Sequence, residues 1–477
     1  MSSTFFGLEI GRRALAANQV ALDVIGQNTS NVGTAGYSRQ VANFEESDPY
    51  GYPGADTGKP AQLGTGVSIA SIDRVRDDYL DKRIYAANAD QGALNSLNTI
   101  LSRAETAYGE PSDTAIGGQL SGLFNSFSDL SASPESDAVR STVLNKAQGL
   151  VDAFHEVTDA LAKIAPDIQA NIVSKVGTAN NLAQQIAALN KQIALSVDNA
   201  DRPNDLLDRR TALIGQLSGL VDLQVIDSKN PQTNLPTGEV QIDVGGFTLV
   251  RGDAASSLPS QFTSVNGKLG LVTSNGLPIP LKSGEIAGLI QANSQLNGYR
   301  ADLDTLALNT INAVNAQHKA GVGLDGATGR SFFTGTGAED IQISPDVAND
   351  PDAIAAAAAP LPPATVALGN GDNARSLAAL SSKPVIGGFS LDQFYNAKVA
   401  GVGADSQRAQ GQSDNQTKVV SQLQSQQASI SGVNLDEELT KMLQYQRSYQ
   451  AAARIVNVQD GVLNTIINGL GATAATA

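Results

Sequence analysis

Both ends of the chain carry a repeat that the middle lacks. Leu8, Leu15 and Leu22 stand seven apart, and Gly11, Asn18 and Ile25 fill the alternating spacings of three and four. Toward the other end Leu435, Met442, Tyr449, Val456, Leu463 and Leu470 are each seven apart. Leu439, Ala453 and Ile467 mark a second seam, with Gln446 and Asp460 as polar breaks. Such heptads predict helices that bury one narrow stripe against a partner helix. The later helix is predicted over 435–470, about 54 Å at 1.5 Å per residue. Gly432 ends the preceding helix, Asn434 is the expected N-cap, and Glu437 three residues on suggests a capping box. Asp436, Glu437 and Glu438 add negative charge at the positive end of the helix dipole. The first helix should stop before Gly33. On helices this narrow, each exposed Leu or Ile forgoes about 1.5–3 kcal/mol. They should therefore be ordered only by packing on each other or on neighbouring copies.

Between these ends the periodicity changes twice. Asn28 to Ser71 is rich in Gly and Pro, with Val67, Ile69 and Ile72 hinting at a strand. From about 77 to 220 the spacing is helical. Ser133 and Pro134 read as an N-cap and N1 pair, and Pro166 is expected to end or kink that stretch. From 222 to 283 the apolar positions Val225, Val240, Ile242, Val244, Leu249, Leu269 and Leu271 alternate, with Gly and Asn turns between them. Helical spacing returns at 284–320 and 391–431, around an irregular stretch at 321–372. The fold class predicted is mainly α with an inserted small β domain. The terminal helices (1–45 and 433–477) form a coiled coil, a discontinuous helical domain covers 46–221 and 284–432, and 222–283 is an outer β-rich domain.

Composition narrows the partners. Over 477 residues the net charge is −15 and only 17% of residues are charged, so few charges need be desolvated where copies pack together. No Lys/Arg cluster supports nucleic acid or an anionic membrane as partner. Cysteine is absent, which excludes disulfides and thiolate metal sites. The start of the chain lacks the basic head and long apolar stretch of a secretory signal, and no run of 18 apolar residues forms a membrane span. Export, if it occurs, should leave the N-terminus intact.

Catalytic signatures are missing. The two histidines, His155 and His318, lack a partner at metal-ligand spacing and read as surface or helix-end residues. There is no nucleophile elbow and no phosphate loop. Gly369-Asn370-Gly371-Asp372-Asn373 reads as a plain loop, and Asp325-Gly326 lacks the other ligands of a calcium loop. Arg251-Gly252-Asp253 reads as a turn after a strand. The expectation is a structural protein with no cofactor and no enzymatic activity.

Asn28-Thr29-Ser30-Asn31-Val32-Gly33-Thr34-Ala35-Gly36-Tyr37-Ser38-Arg39, directly after the first heptad helix, resembles the signature of flagellar axial proteins, the rod, hook and junction subunits. Three further blocks resemble the hook-associated protein 1 (FlgK-type) branch of that family. They are Pro203–Arg210, Asn315–His318 followed by Phe332-Phe333, and Ser429–Glu438 continued by Tyr445-Gln446 and Tyr449. The resemblance implies a secreted subunit of the bacterial flagellum, exported by the flagellar type III apparatus and assembling as a ring between hook and filament. It implies itself, the hook protein, a second junction protein and an export chaperone on the C-terminal helix as partners. The terminal helices would form an inner tube. The positions expected to carry assembly are Leu8, Leu15, Leu22, Ile25, Asn28, Asn31, Gly36, Tyr37, Leu435, Leu439, Met442, Tyr449, Val456, Leu463, Ile467 and Leu470. Larger relatives often carry a second outer domain where this chain has only the short stretch 334–370. A hook or rod subunit, or a secreted adhesin-like structural protein, is the alternative.

Overall fold

A computed structural model describes residues 5–51, 62–198, 202–260, 262–265, 268–273, 275–359, 367 and 369–472. Helix α1 (Phe6–Ser30) leads into an antiparallel hairpin, Gln40–Glu46 against Val67–Arg74. Four helices follow: α2 (Asp78–Tyr108), α3 (Ile116–Ala132), α4 (Asp137–Asp198) and α5 (Asn204–Leu220). A four-stranded antiparallel sheet comes next, with Leu223–Lys229, Pro236–Val244, Phe247–Arg251 and Ala254–Ala255 in sequential order. The chain returns to helix in α6 (Glu285–Lys319). It then passes through short strands, α7 (Pro345–Ala348) and α8 (Asp372–Ala378), and closes with α9 (Leu391–Ser431) and α10 (Leu435–Ala472).

The body is built on α2, which packs along α9 and α6, and on α4, which packs against α3, α5, α6 and the sheet. Alternation in the second strand of the sheet is as the sequence predicts: Val240, Ile242 and Val244 are buried and continue the core formed by Leu217, Ile286 and Leu289. Asn190 of α4 ties sheet to helix. Its amide donates to the carbonyls of Val240 and Gly252, both at 2.8 Å.

Two helix boundaries differ from the sequence reading. Helix α4 runs through Pro166 without ending there. Leu161, Ile164, Ile168 and Ile172 flank the proline and are all buried at helical spacing, so core packing outweighs the lost backbone hydrogen bond. Ser133 and Pro134 do not open α4, which begins at Asp137; they form a turn closed by Ser136 N–H to Ser133 C=O at 3.1 Å. The Pro134 carbonyl instead accepts from Arg140 Nε at 2.8 Å.

The block Asn315–His318 fastens the irregular stretch after α6. Asn315 Oδ1 accepts from the Phe332 and Phe333 amides at 2.8 and 2.9 Å, and its Nδ2 donates to the Phe333 carbonyl at 2.8 Å. His318 sits at the helix end as expected, but it is fully buried rather than on the surface. Its Nε2 accepts from Ala355 N–H at 3.0 Å, so Nδ1 carries the proton and donates to the Arg330 carbonyl at 2.9 Å. The ring also meets Phe332 edge-on at 5.3 Å. Asn373, in the loop-reading segment, opens into α8 and donates to the Ala355 carbonyl at 2.6 Å.

Burial holds the His318 pKa below its ordinary value, against the raising effect of the hydrogen bond to Arg330. The unfolded chain therefore takes up a proton before the folded one does. Stability from this group is complete above about pH 6.5 and is lost as pH falls through the lower folded pKa. The urea midpoint should drop between pH 7.5 and 5.5 in the wild type and drop less in His318→Gln. Equal drops in the two proteins would rule out His318 as the cause.

Candidate assembly interface

Helices α1 and α10 pair antiparallel along their length. Asn28 meets Glu438 at one end, and Gly7 faces Gln459 near the other. Small residues set the closeness: a Cβ at Gly11 would stand 2.7 Å from Val456 Cγ2, and one at Gly7 would stand 2.8 Å from the Gln459 side chain. The seam on α1 is Gly11, Asn18, Ala21, Ile25 and Asn28, all buried. Leu8, Leu15 and Leu22 lie beside it and are half-buried. On α10 the inward stripe holds Glu438, Met442, Tyr445, Ala452, Ala453, Val456 and Leu463, with Tyr449 at its margin. The hairpin closes over α1 beside this seam, where Ala21, Val24 and Ala42 pack with Ile69, Ile72 and Tyr445 of α10. Phe44 stacks on Tyr445 with ring centroids 5.7 Å apart.

The rest of the α10 face is apolar and uncovered. Leu435, Leu439 (50% exposed), Leu443 (62%), Ile455, Val458 (64%), Val462, Ile466 and Ile467 (65%) are open to solvent in the single chain. Leu435, Leu439 and Ile467 of the predicted seams are thus exposed rather than packed on α1; in the antiparallel register Leu435 and Ile467 fall beyond the two ends of α1. The Leu470 side chain lies outside the described residues. Scattered apolar residues are ordinary on a surface, but a helix this long with so many is not.

At the base of the pair a buried polar joint fixes it to the body. Asn28 has every partner an amide can hold. Its Nδ2 donates to the Gln40 carbonyl (2.9 Å) and to Glu438 Oε2 (3.0 Å), while Oδ1 accepts from Tyr37 Oη–H (2.8 Å) and Gln40 N–H (2.9 Å). Burial, then Asp205, Asp208 and Glu438 nearby, push the Tyr37 hydroxyl up to about 12, so it remains a donor. Gly36, at φ +81°, makes the turn that brings Tyr37 back, and Asn31 caps α1 through its amide to the Gln27 carbonyl.

Ser38 anchors the loop in the body, with N–H and Oγ–H both donating to the buried Asp208 of α5 at 2.9 and 2.7 Å. Arg74 also reaches Asp208 (3.1 Å), and Arg76 forks onto Asp81 (2.8 Å twice) while donating to Ser38 Oγ. Asn204 donates to the Ile72 carbonyl at 2.8 Å. Arg39 N–H donates to the Ser431 carbonyl (2.8 Å), and its guanidinium pairs with Glu437 (2.8 Å). Asn434 caps α10 as the sequence suggests, accepting from Asp436 N–H at 3.0 Å. The expected return bond of a capping box is replaced, since Glu437 reaches across to Arg39.

The blocks 28–39, 203–210 and 429–438, far apart in sequence, therefore meet at one joint. Sequence reasoning found the blocks but missed Glu438, Asp208, Asp81 and Arg76 as its polar centre. A signal existed for Glu438, a carboxylate on the same helix face as Met442, Tyr445 and Ala452. Among the described residues no group of three or more His, Cys, Asp or Glu is placed to hold a metal, and no helix is long and apolar enough to cross a membrane.

The family model of the flagellar hook-associated protein FlgK helical domain matches residues 101–333. That of the flagellar basal body rod FlgEFG protein C-terminal matches 424–469, which covers the joint's last block and most of α10. Flagellar hook-associated protein 1 of Bacillus subtilis is 30% identical, over 99% of this chain and 99% of its own. This chain belongs to the flagellar hook-associated protein 1 family. The Salmonella typhimurium member is 26% identical over 95% of this chain and 98% of its own. The solved flagellar hook junction protein FlgK from Burkholderia pseudomallei shares the fold, with a TM-score of 0.64 at 18% identity. The match covers 73% of this chain and all of that one. Within this hook-associated protein 1 family member, the α1–α10 pair and its joint are the candidate assembly apparatus.

Proposed function

We propose that this chain is a structural subunit of the bacterial flagellum that forms the ring joining hook to filament, and that its role is not catalytic. The near full-length match to hook-associated protein 1 supports this reading. The observation that carries the mode of action is the uncovered apolar face of α10 beside the half-buried Leu8, Leu15 and Leu22. Covering each such side chain by a neighbouring copy adds the part still exposed of the about 1.5–3 kcal/mol that full burial is worth. The terminal pair then forms the inner wall, and the body and sheet stand outside it. The flagellar type III apparatus exports the chain, a chaperone shields α10 before export, and the hook protein and a second junction protein lie on either side of the ring.

A strain lacking the gene should grow hooks without filaments and shed flagellin into the medium. Leu439→Asp with Ile467→Asp should leave the chain folded and secreted but fail to restore filaments, since both side chains are exposed in the monomer. Normal filaments in the deletion strain would overturn the proposal. A deletion strain without hooks would point to a hook or rod subunit instead.

A further inference from the structure

Arg251-Gly252-Asp253 takes no part in the joint or the helix pair. It forms the tip of a tight hairpin between Phe247–Arg251 and Ala254–Ala255, where Arg251 pairs with Ala254. Gly252 has φ +57° at the first central position, where a two-residue turn of this kind requires glycine. A Cβ there would also stand 3.3 Å from Glu239 Oε1. The Gly252 carbonyl accepts from Asn190 of α4 at 2.8 Å, so the tip is tethered to the longest helix of the body. Arg251 and Asp253 are both exposed. Among the described residues Arg251 has no ion pair or hydrogen-bond partner from its side chain. Asp253 has only Lys191 at 3.9 Å, with both side chains more than 60% exposed, a contact that solvent screens and that yields readily.

We propose that this tip is an adhesion site for a receptor cleft that combines an acidic pocket with a bound divalent cation. The Asp253 carboxylate is a hard oxygen ligand free to complete the coordination shell of the cation. The Arg251 guanidinium is free to fork onto a receptor carboxylate. The hairpin pairing and the Asn190 tether hold the turn that carries the two charged groups, so little ordering is lost on binding. The order Arg-Gly-Asp is the one that such metal-bearing clefts read. The site is independent of the proposed junction role and uses neither α1 nor α10.

The test uses the full chain on a surface and the purified ectodomain of an Arg-Gly-Asp-binding integrin as probe, with manganese present. Saturable binding is expected. It should be lost with a chelator, be displaced by a soluble Arg-Gly-Asp peptide, and weaken at least tenfold in Asp253→Glu and in Arg251→Ala. Both variants should still restore filaments in the deletion strain, which separates loss of adhesion from loss of folding or assembly. No manganese-dependent binding above that of a control protein, or equal binding by Asp253→Glu, overturns the proposal.

Discussion

Asn28→Asp will detach the terminal helix pair from the body. The substitution keeps the size of the side chain and the acceptor used by Tyr37 and Gln40, but turns its donor into an acceptor. A carboxylate oxygen then faces Glu438 Oε2 and the Gln40 carbonyl, where the amide now donates at 3.0 and 2.9 Å. Glu438 is 2% exposed, so neither charge can turn to water. An uncompensated charge buried this way costs about 3–5 kcal/mol. Limited proteolysis should release the terminal segments from Asn28→Asp while the body resists, and cells carrying it should bear bare hooks. Adding Glu438→Gln restores a donor opposite the introduced carboxylate and should recover most of the loss. A double variant as unstable as the sum of its parts would show that the two side chains do not act as a pair.

Arg140→Leu will have a comparable effect in the body. Arg140 is 1% exposed, and its guanidinium donates to the carbonyls of Pro134 (2.8 Å), Pro351 (3.0 Å) and Ile354 (2.9 Å). It joins the turn before α4 to the irregular stretch after α6, with no carboxylate bonded to it among the described residues. Leucine fills much of the space but takes the Nε donor from the Pro134 carbonyl, at about 1–3 kcal/mol where water cannot reach. It also strips a second donor from the Pro351 and Ile354 carbonyls, which keep the Ile354 and Ala356 N–H groups. A total loss of about 2–4 kcal/mol is expected, which for a body this large lowers the Tm by about 2–5 °C. Calorimetry checks this directly, and a shift within the error of the wild type would show that the stretch holds without Arg140.

What the sequence disclosed follows from the range of the interactions involved. Local patterns were legible. The heptads of α1 and α10, the Gly432–Asn434 break, the alternation at Val240, Ile242 and Val244, and the span of α9 depend on neighbours within a few residues. Pro166 misled because its effect is local, whereas the packing of Ile164 and Ile168 that overrides it is tertiary. The joint was half legible. Asn28, Gly36 and Tyr37 stand out as a polar and glycine-rich stop after a helix. Their partners do not, because Ser38 and Asp208 are 170 positions apart and Asn28 and Glu438 are 410 apart. The second seam of α10 begins one position earlier than the heptad spacing suggests. Leu439 is the apolar candidate, but the buried position is Glu438, chosen for the hydrogen bond it accepts.

The 410 positions between Asn28 and Glu438 also order events in time. A ribosome adding about 5–20 residues per second needs roughly 20–80 s to reach the partner of the first helix after making that helix. Throughout that interval α1 has only its flanking hairpin to pack on and no partner helix, while α2 to α6 can already close on one another. The helix pair is therefore the last contact made during synthesis. Any factor that captures α10 as it emerges holds the chain open at both ends.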